Sequence, residues 1–253
     1  MSEVNRSHPK ALRKLVKQTL LSLKLPKEYV ILLGVSGGSD SMALMHVLYT
    51  LQEECSFALH CIGVNHNLRE EAQQELDIAS KFAESLLVPF YKAKVFINGD
   101  SNVQEKARVK RYQVFSELKD KLHESLGKDV YISTGHHMED RAETLLLRII
   151  RGTSVQGLNV LEPLNGALLR PMIHARKRDV MLHIKRKNIP YCEDPSNAKV
   201  DVYRRSKVRF ELIPLLQQMN PNIVEALCEL SISAKHPEIT GVRTERKKIL
   251  NSK

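Results

Sequence analysis

Short apolar runs alternate with longer amphipathic stretches over the first 150 residues, and this alternation constrains the fold more than any other feature. Each of four runs, YVILLGV, FALHCIGVNH, PFYKAKV and DVYISTG, precedes a stretch with apolar side chains at helical spacing. Strands that are apolar on both faces and separated by helices form repeated βαβ units with parallel strands. The sequence therefore predicts a doubly wound, Rossmann-like α/β fold, in which ligands bind beyond the carboxyl ends of the strands.

The pattern changes after residue 152, where the elements become shorter. ARKRDVMLHIKRKN predicts a basic helix, IPYCEDPSNAKVD predicts a loop, and YRRSKVRFELIPLLQQM predicts a helix that is disturbed near Pro214. The last 34 residues can form one or two helices but are too few for an independent domain. We therefore predict a main domain over residues 1–216 and a small, mainly helical C-terminal portion over residues 217–253.

Composition narrows the cellular compartment and the chemistry. No apolar stretch reaches the roughly 18 residues of a membrane helix, and the N-terminus lacks the features of a secretory signal. This predicts a cytoplasmic protein without a membrane partner. The four cysteines form no C-x-x-C pair, so the sequence predicts neither a zinc ribbon, nor an iron–sulfur site, nor a disulfide framework.

The net charge of +10 is unevenly distributed. Residues 170–211 contain twelve Lys and Arg against five Asp and Glu, which places +7 of the total in this segment. A local cationic surface favours a polyanionic partner. Nucleic acid is favoured over membrane because no basic amphipathic helix with an aromatic face accompanies the charge. A solvated basic face without any partner is the alternative interpretation.

The segment VSGGSDS lies directly between the apolar run YVILLG and the next helix, and this position distinguishes it from a flexible linker. Its two glycines allow positive φ and close approach of a ligand, while serine hydroxyls and helix amides offer donors to an anion. Neither a Walker A sequence nor a G-x-G-x-x-G fingerprint is present. Asp40 would repel phosphate unless a divalent cation intervened, which predicts Mg²⁺ at Asp40 and a nucleoside triphosphate ligand. The predicted phosphate-binding residues are Ser36, Gly37, Gly38, Ser39, Asp40 and Ser41.

The loop GVSGGSDS resembles the PP-loop of the N-type ATP pyrophosphatases, whose fold is of the adenine nucleotide alpha hydrolase type. Five further segments are similar to the tRNA(Ile)-lysidine synthetase family and follow in that family's order: VNHNLRE, NVQEKARVKRY, STGHHMEDRAETLLLRIIRGTSVQGL, LLRPM and DPSNAKVDVYRRSKVRFELIPLL. The resemblance covers about residues 30–216. It implies that ATP adenylates the wobble cytidine of tRNA(Ile) with a CAU anticodon, releasing pyrophosphate, and that free lysine then displaces AMP to form lysidine.

The resemblance also implies roles for residues outside the loop. The segment GHHMEDRAET would line the catalytic cleft, where its acids suit recognition or deprotonation of a lysine amine. Arginines of NVQEKARVKRY and of YRRSKVR would contact phosphates of ATP or tRNA. The residues concerned are Arg108, Arg111, His136, His137, Asp140 and Glu143 for catalysis, and Arg204, Arg205, Lys207 and Arg209 for tRNA or phosphate contacts. Without the resemblance, Asp140 is explained equally well as an acid that stabilises the N-terminus of a helix. His66 is then explained as a histidine with a structural role.

Several positions depart from the residues usual in that family. Asn65 stands where Asp is usual, Arg141 where Gln is usual, Ser154 where Gly is usual, and Ser206-Lys207 where Asn-Arg is usual. The departure at Asn65 makes a non-catalytic RNA-binding protein on a degenerate scaffold a rival function. A tRNA thiolase on the same scaffold is another rival, which the missing C-x-x-C pair disfavours. The sequence leaves a homodimer open.

Overall fold

The structure, a computed structural model, describes residues 11–66, 71–97, 103–193 and 204–235, with Glu71 described by its backbone alone. These residues form two compact units. Within the described ranges, the first unit contains residues 11–137 and 163–193, and the second contains residues 138–162 and 204–235. No helix in these ranges is long and apolar enough to cross a membrane.

The first unit is built on a mainly parallel sheet, as the alternating apolar runs predict. Its elements begin with α1 Leu12–Ser22, β1 Tyr29–Gly34, α2 Ser39–Tyr49, β2 Phe57–Asn65, α3 Glu71–Ser85, β3 Phe90–Lys94, α4 Val103–Leu126 and β4 Val130–Ser133. After α5 Met138–Arg151, which belongs to the second unit, they continue with β5 Leu164–Asn165, β6 Leu168–Leu169 and α6 Lys177–Lys187. Among the described strands, only the edge strand β5 runs antiparallel to its neighbour, β6. The predicted α/β fold is confirmed.

The strand order reverses next to β1. The sheet runs β3-β2-β1-β4-β6-β5, and β1 pairs in parallel with β2 on one side and with β4 on the other. The chain therefore progresses outward from β1 to β3 before it crosses back to β4. Such a switch point opens a crevice beyond the carboxyl ends of the two central strands, where open α/β sheets bind ligands. The segments GVSGGSDS and STGHH both begin at this crevice.

The central strand β1 is buried on both faces. Ile31 and Leu33 belong to the apolar cluster that contains the buried side chains of α2, whereas Val30 and Leu32 belong to the cluster that contains Phe115 of α4. Successive side chains of a strand point to opposite faces, so one apolar run supplies both layers of the core. Burial of each such side chain stabilises the fold by about 1.5–3 kcal/mol. This core fixes the end of β1 relative to α2.

The second unit is helical in its described part. It contains α5, a 3₁₀ turn Gln156–Leu158, α7 Arg204–Lys207, a π-helical turn Val208–Leu212, α8 Ile213–Met219 and α9 Ile223–Ser233. The helix predicted over YRRSKVRFELIPLLQQM is present from Arg204 onward, with its disturbance just before Pro214. Pro214 lacks an N–H and its ring crowds the carbonyl four residues earlier. The wider π turn, in which the Ile213 N–H bonds to the Val208 carbonyl, relieves this crowding.

Helix α9 packs within the second unit. Val224, Leu227 and Cys228 share an apolar cluster with Ala142 and Leu145 of α5. Residues on both sides of position 216 thus contribute to one core. The division into 1–216 and 217–253 follows the extent of sequence similarity and stays a prediction, and residues 236–253 lie outside the described ranges.

Candidate nucleotide-binding site

The loop of residues 35–38 connects β1 to α2 at the switch point of the sheet. Val35 still donates its N–H to the carbonyl of Ile62 in β2 at 2.8 Å, so the chain leaves the sheet at Ser36. Gly38 is the N-cap of α2, and within the described residues no side chain caps this helix. The first amides of α2 consequently lack partners within the helix, and the helix dipole adds positive potential there. The loop has the chemistry of an anion site.

Gly37 is the loop residue whose conformation requires glycine. Its φ is +82°, and a Cβ there would lie 2.7 Å from the carbonyl oxygen of Glu75 in α3. A side chain would therefore strain the backbone and collide with α3. Gly38, by contrast, has a φ of −74°. The expectation of positive φ is wrong at Gly38, because a helix N-cap takes extended backbone that other residues also adopt.

Hydrogen bonds hold the loop in shape. The Ser36 N–H donates to Ser41 Oγ at 3.2 Å, and the Ser41 hydroxyl donates to the Gly38 carbonyl at 3.0 Å. The Cys192 N–H donates to the Gly37 carbonyl at 2.9 Å. Ser41 is buried and supports the loop from inside, whereas Ser36 is exposed. Of the three serines predicted to bind phosphate, Ser36 and Ser41 thus have different surroundings.

Asp40, in the first turn of α2, lies beside two side chains of the same unit. Lys177, the first residue of α6, places Nζ 2.6 Å from Asp40 Oδ1 and 2.9 Å from Ser39 Oγ. His137 Nε2 lies 3.7 Å from Asp40 Oδ1. The side chains of Asp40 and Lys177 are 34% and 39% exposed, so a ligand can reach both. A partly open carboxylate–ammonium pair therefore adjoins the anion loop.

The segment after β4 comes close to α2 at Gly135. A Cβ on Gly135 would lie 3.2 Å from the carbonyl carbon of Asp40, so glycine permits the close packing of these two segments. His136 Nδ1 and Thr134 Oγ1 share a hydrogen bond of 2.8 Å, and His137 is buried. Because β1 and β4 are neighbours, the fold brings His137 to Asp40.

In the second unit, two acids of α5 are paired with two arginines of the basic cluster. Arg205 donates to Asp140 Oδ1 and to Glu143 Oε2, both at 2.9 Å. Arg209 donates to the two Glu143 oxygens at 2.6 and 3.0 Å. The Glu143 side chain is 1% exposed, whereas the arginines are 45% and 39% exposed. The predicted catalytic acids and two of the predicted phosphate ligands thus balance each other's charge.

Arg204 and Lys207, the other two cations of the basic cluster, have a different environment. With Arg151 they border a groove of about 640 Å³, which is also lined by apolar side chains such as Leu147 and Leu215. Both Arg204 and Lys207 are exposed. The basic cluster is therefore divided between two arginines that pair with the acids of α5 and two cations that border the groove.

Comparison with known proteins connects the loop to a family. The PP-loop domain family matches residues 7–216 of the chain. The chain belongs to this family. The segment between β1 and α2 is accordingly its PP-loop, as the sequence resemblance predicts.

Curated relatives match most of the chain. A tRNA(Ile)-lysidine synthase from Petrotoga mobilis is 36% identical over 79% of this chain and 64% of its own length. A second, from Parabacteroides distasonis, is 34% identical over 84% of this chain and 47% of its own length. The chain thus spans about half to two thirds of the length of these relatives. A solved U34-tRNA thiolase from Methanococcus maripaludis, 18% identical, has a TM-score of 0.69 over 89% of this chain and 78% of its own, which shows the shared fold.

A magnesium ion at the PP-loop would have Asp40 as its protein ligand. The described residues contain no group of three or more His, Cys, Asp or Glu side chains that could hold a metal ion. At nucleotide sites Mg²⁺ is bound by one or two carboxylates together with phosphate oxygens and water. Asp40, partly exposed beside the loop amides, fits that donor set. The predicted magnesium site therefore needs the triphosphate to complete it.

Arg108 and Arg111 of α4 differ in environment although they lie three residues apart. Arg108 is on the surface, 3.9 Å from Glu105 and 5.7 Å from the ring centre of Tyr112. Arg111 is half-buried, and burial lowers its pKa. Burial also lowers the pKa of His66, and the positive charge of Arg111 adds to that effect. Of the two arginines, only Arg111 is therefore partly removed from solvent.

Lys177 is the residue of this site that the sequence did not predict. It lies in the segment ARKRDVMLHIKRKN, which indicates only general positive charge, and is 137 residues away from Asp40. Its contact with the loop depends on the packing of α6 against α2. One signal was available: a triphosphate loop without its own lysine favours a cation supplied by another segment.

Proposed function

We propose that the protein is a tRNA(Ile)-lysidine synthase, which uses ATP to attach lysine to carbon 2 of the wobble cytidine of tRNA(Ile). Membership in the PP-loop domain family and similarity to relatives of that name support the proposal. The structural observation that carries it is the loop at the switch point. There, a glycine-dependent turn, the open amides of α2 and the Asp40–Lys177 pair together offer a site to a polyphosphate.

The first step of the proposed reaction forms an adenylated cytidine. The 2-carbonyl oxygen of the cytidine attacks the α-phosphorus of ATP, the bond to the β-phosphate oxygen breaks, and pyrophosphate leaves with the electron pair. The amides of the PP-loop stabilise the charge that develops on the leaving pyrophosphate. A magnesium ion at Asp40 supplies further charge neutralisation when it is bound.

The second step attaches the lysine. Its neutral side-chain amine attacks carbon 2, the bond from carbon 2 to the adenylated oxygen breaks, AMP leaves, and the amine loses a proton. Because a protonated amine is not a nucleophile, the site needs a base, for which the candidates are His136, His137, Asp140 and Glu143. We assign to Asp140 and Glu143 either the recognition of the lysine amines or the deprotonation of the attacking one. Since both acids contact arginines, lysine would join a charge-balanced cluster rather than an open acidic pocket.

We propose that the phosphate backbone of the tRNA binds to the basic surface of the second unit. Arg204 and Lys207 are exposed beside the groove and can contact phosphates without first breaking an acid pair of α5. Aromatic residues make up 5% of the chain and tryptophan is absent from the sequence, so platforms for base stacking are few. Recognition therefore relies on RNA shape and phosphate contacts, with one base inserted into the catalytic cleft.

Mass analysis of nucleosides tests the proposed function. tRNA(Ile) with a CAU anticodon is incubated with the protein, ATP, Mg²⁺ and lysine, and the tRNA is then digested to nucleosides. We expect lysidine in place of the wobble cytidine, and we expect its mass to increase when isotopically labelled lysine is used. Omission of either ATP or lysine, and a tRNA with another anticodon, serve as controls.

Two results would contradict the proposed function. A sulfur mass shift in the tRNA, with a sulfur donor present, would indicate a thiolase. Unmodified tRNA together with no exchange of labelled pyrophosphate into ATP, in the presence of Mg²⁺, lysine and tRNA, would indicate a non-catalytic RNA-binding protein.

A further inference from the structure

The PP-loop contains no lysine, yet an ammonium group lies beside it. Lys177 Nζ contacts two residues of the loop helix, Ser39 through its hydroxyl at 2.9 Å and Asp40 through its carboxylate at 2.6 Å. Phosphate loops of other architectures carry their lysine within the loop sequence. Here the cation is supplied by the first residue of α6, from a segment far along the chain.

The position of Lys177 is fixed by the packing and capping of α6. Val180 and Ile184 of α6 are buried in the same apolar cluster as the side chains of α2. The Arg176 N–H donates to Asp179 Oδ2 at 3.0 Å, which defines where α6 begins. The helix start is therefore held against the PP-loop, while the Lys177 side chain keeps 39% exposure and the freedom to change partner.

Asp40 alone would hinder nucleotide binding. A carboxylate at the start of α2 repels the phosphates that the loop amides attract, and an ammonium at 2.6 Å cancels that repulsion. A phosphate chain at the amides of Ser39 and Asp40 would also come within reach of an ammonium that already contacts the Ser39 hydroxyl. Charge-assisted hydrogen bonds to phosphate are stronger than neutral ones, which favours a change of partner.

We propose that Lys177 is the phosphate-binding lysine of this PP-loop: when ATP binds, its ammonium leaves Asp40 for the phosphate oxygens, and Asp40 becomes available to Mg²⁺. This rests on the proposed function only in taking ATP as the ligand. Lys177 thus has two successive roles, since it neutralises Asp40 before the nucleotide binds and contacts the nucleotide afterwards.

Binding of ATP by variants of Lys177 tests the proposal. Dissociation constants are measured by calorimetry for ATP, pyrophosphate and adenosine, with Mg²⁺ and without tRNA or lysine. We expect Lys177→Met to weaken ATP and pyrophosphate binding by about 10- to 100-fold, as for loss of one charged hydrogen-bond donor, and to leave adenosine binding unchanged. Lys177→Arg should retain most of the affinity because it keeps the charge. Lys185→Met, an exposed lysine of the same helix, is the matched control and should bind ATP like the unmodified protein.

A double-mutant cycle separates phosphate contact from simple neutralisation of Asp40. In the Asp40→Asn background, with the metal removed by EDTA, the carboxylate of residue 40 is no longer there for Lys177 to neutralise. We expect Lys177→Met to weaken ATP binding in this background by at least about 10-fold. Equal affinities of Asp40→Asn and of the double variant would overturn the proposal and leave Lys177 only as the partner of Asp40. Wild-type-like affinity of Lys177→Met for ATP would overturn it as well.

The outcomes also distinguish this inference from the proposed function. If the protein forms lysidine but Lys177→Met binds ATP normally, the inference alone fails. If ATP binding depends on Lys177 in the expected way but no lysidine forms, the proposed function alone fails. If the unmodified protein binds no ATP, both fail.

Discussion

The carboxylate clusters of the two units differ in how open they are. In the first unit, Asp40 pairs with Lys177, and each side chain is more than a third exposed. In the second unit, Glu143 is 1% exposed, and its oxygens are bound by Arg205 and Arg209. Exposed ion pairs contribute little to stability, whereas loss of one side of a buried pair is costly. The open pair can therefore exchange partners with a ligand, while the closed cluster joins α7 and the π-helical turn to α5.

Because of this difference, we expect ligand binding and the free energy of unfolding to depend on different residues. Substitutions in the open pair should change ligand binding with little effect on the free energy of unfolding. Substitutions in the closed cluster should lower the free energy of unfolding first, and any effect on activity would include that loss. The three experiments that follow test this separation, beginning with the largest expected effect.

Asp40→Asn should abolish activity without unfolding the protein. The substitution keeps the shape of the side chain but removes the charge that would bind Mg²⁺ and accept the Lys177 ammonium. We expect formation of lysidine to fall by about 1000-fold, the upper end of the range for loss of one electrostatic contact to a developing charge. The Tm should stay within about 4 °C, because a partly exposed pair contributes at most about 1 kcal/mol. Retained turnover at ordinary Mg²⁺ concentrations would contradict the assigned role.

Removal of both arginines from the closed cluster should destabilise the protein. With Arg205→Met and Arg209→Met together, the buried Glu143 carboxylate loses its cationic partners. We expect the free energy of unfolding, measured with urea, to fall by about 3–5 kcal/mol. Glu143→Gln should cost less, because the two guanidinium groups that it leaves behind are partly exposed and can be solvated.

The chain supplies a matched control for the arginine pair. Arg204→Met and Lys207→Met together remove two neighbouring cations that are exposed beside the groove. Their loss should change the free energy of unfolding by no more than about 0.5 kcal/mol per substitution. If both double variants lost the same stability, the distinction between arginines that pair with Glu143 and cations that border the groove would be wrong.

A smaller effect on stability is expected at the interface between α2 and α6, which positions the pair of Asp40 and Lys177. His46 and His183 share a hydrogen bond of 3.1 Å there. Burial, the charge of His46 and the charge of Lys187 lower the pKa of His183 to about 4. The unfolded chain therefore binds more protons than the folded protein between pH 6.5 and about 4. The stability that the neutral His183 contributes is fully present above pH 6.5 and decreases as the pH falls through this range.

Thermal unfolding at several pH values checks this sign. We expect the Tm of the unmodified protein to fall between pH 7 and pH 5, and we expect His183→Gln to reduce that fall by at least about 2 °C. An unchanged pH dependence in the variant would show that His183 does not couple to folding. If most of the decrease in Tm on acidification occurred above pH 7 rather than below it, the lowered pKa of His183 would be contradicted.

The sequence predicted the sheet and the loop because both depend on local patterns. Residues Tyr29–Gly34 are apolar without interruption, which is typical of a strand covered on both faces, and the helix boundaries follow from the periodicity of the flanking segments. The spacing of Asp140 and Glu143 also predicted that they share one helical face, as their common contact with Arg205 requires.

The partners of the charged side chains could not be predicted in the same way. Nothing in YRRSKVR distinguishes the arginines that bind α5 from Arg204 and Lys207, because the distinction depends on the π-helical turn and on the burial of Glu143. Similarly, Arg108 and Arg111 look equivalent in the sequence, but only Arg111 is drawn into the interior of the first unit.

By itself, the sequence determined the α/β architecture and the position of a glycine-containing anion loop after β1. Hydrophobic periodicity and backbone sterics act over a few residues, so a linear pattern is enough to specify them. Only the tertiary structure decided that Lys177 contacts Asp40 and that two arginines pair with Glu143. Ion pairs join residues that are distant along the chain, and their partners depend on which helices pack together and on how much water remains between them.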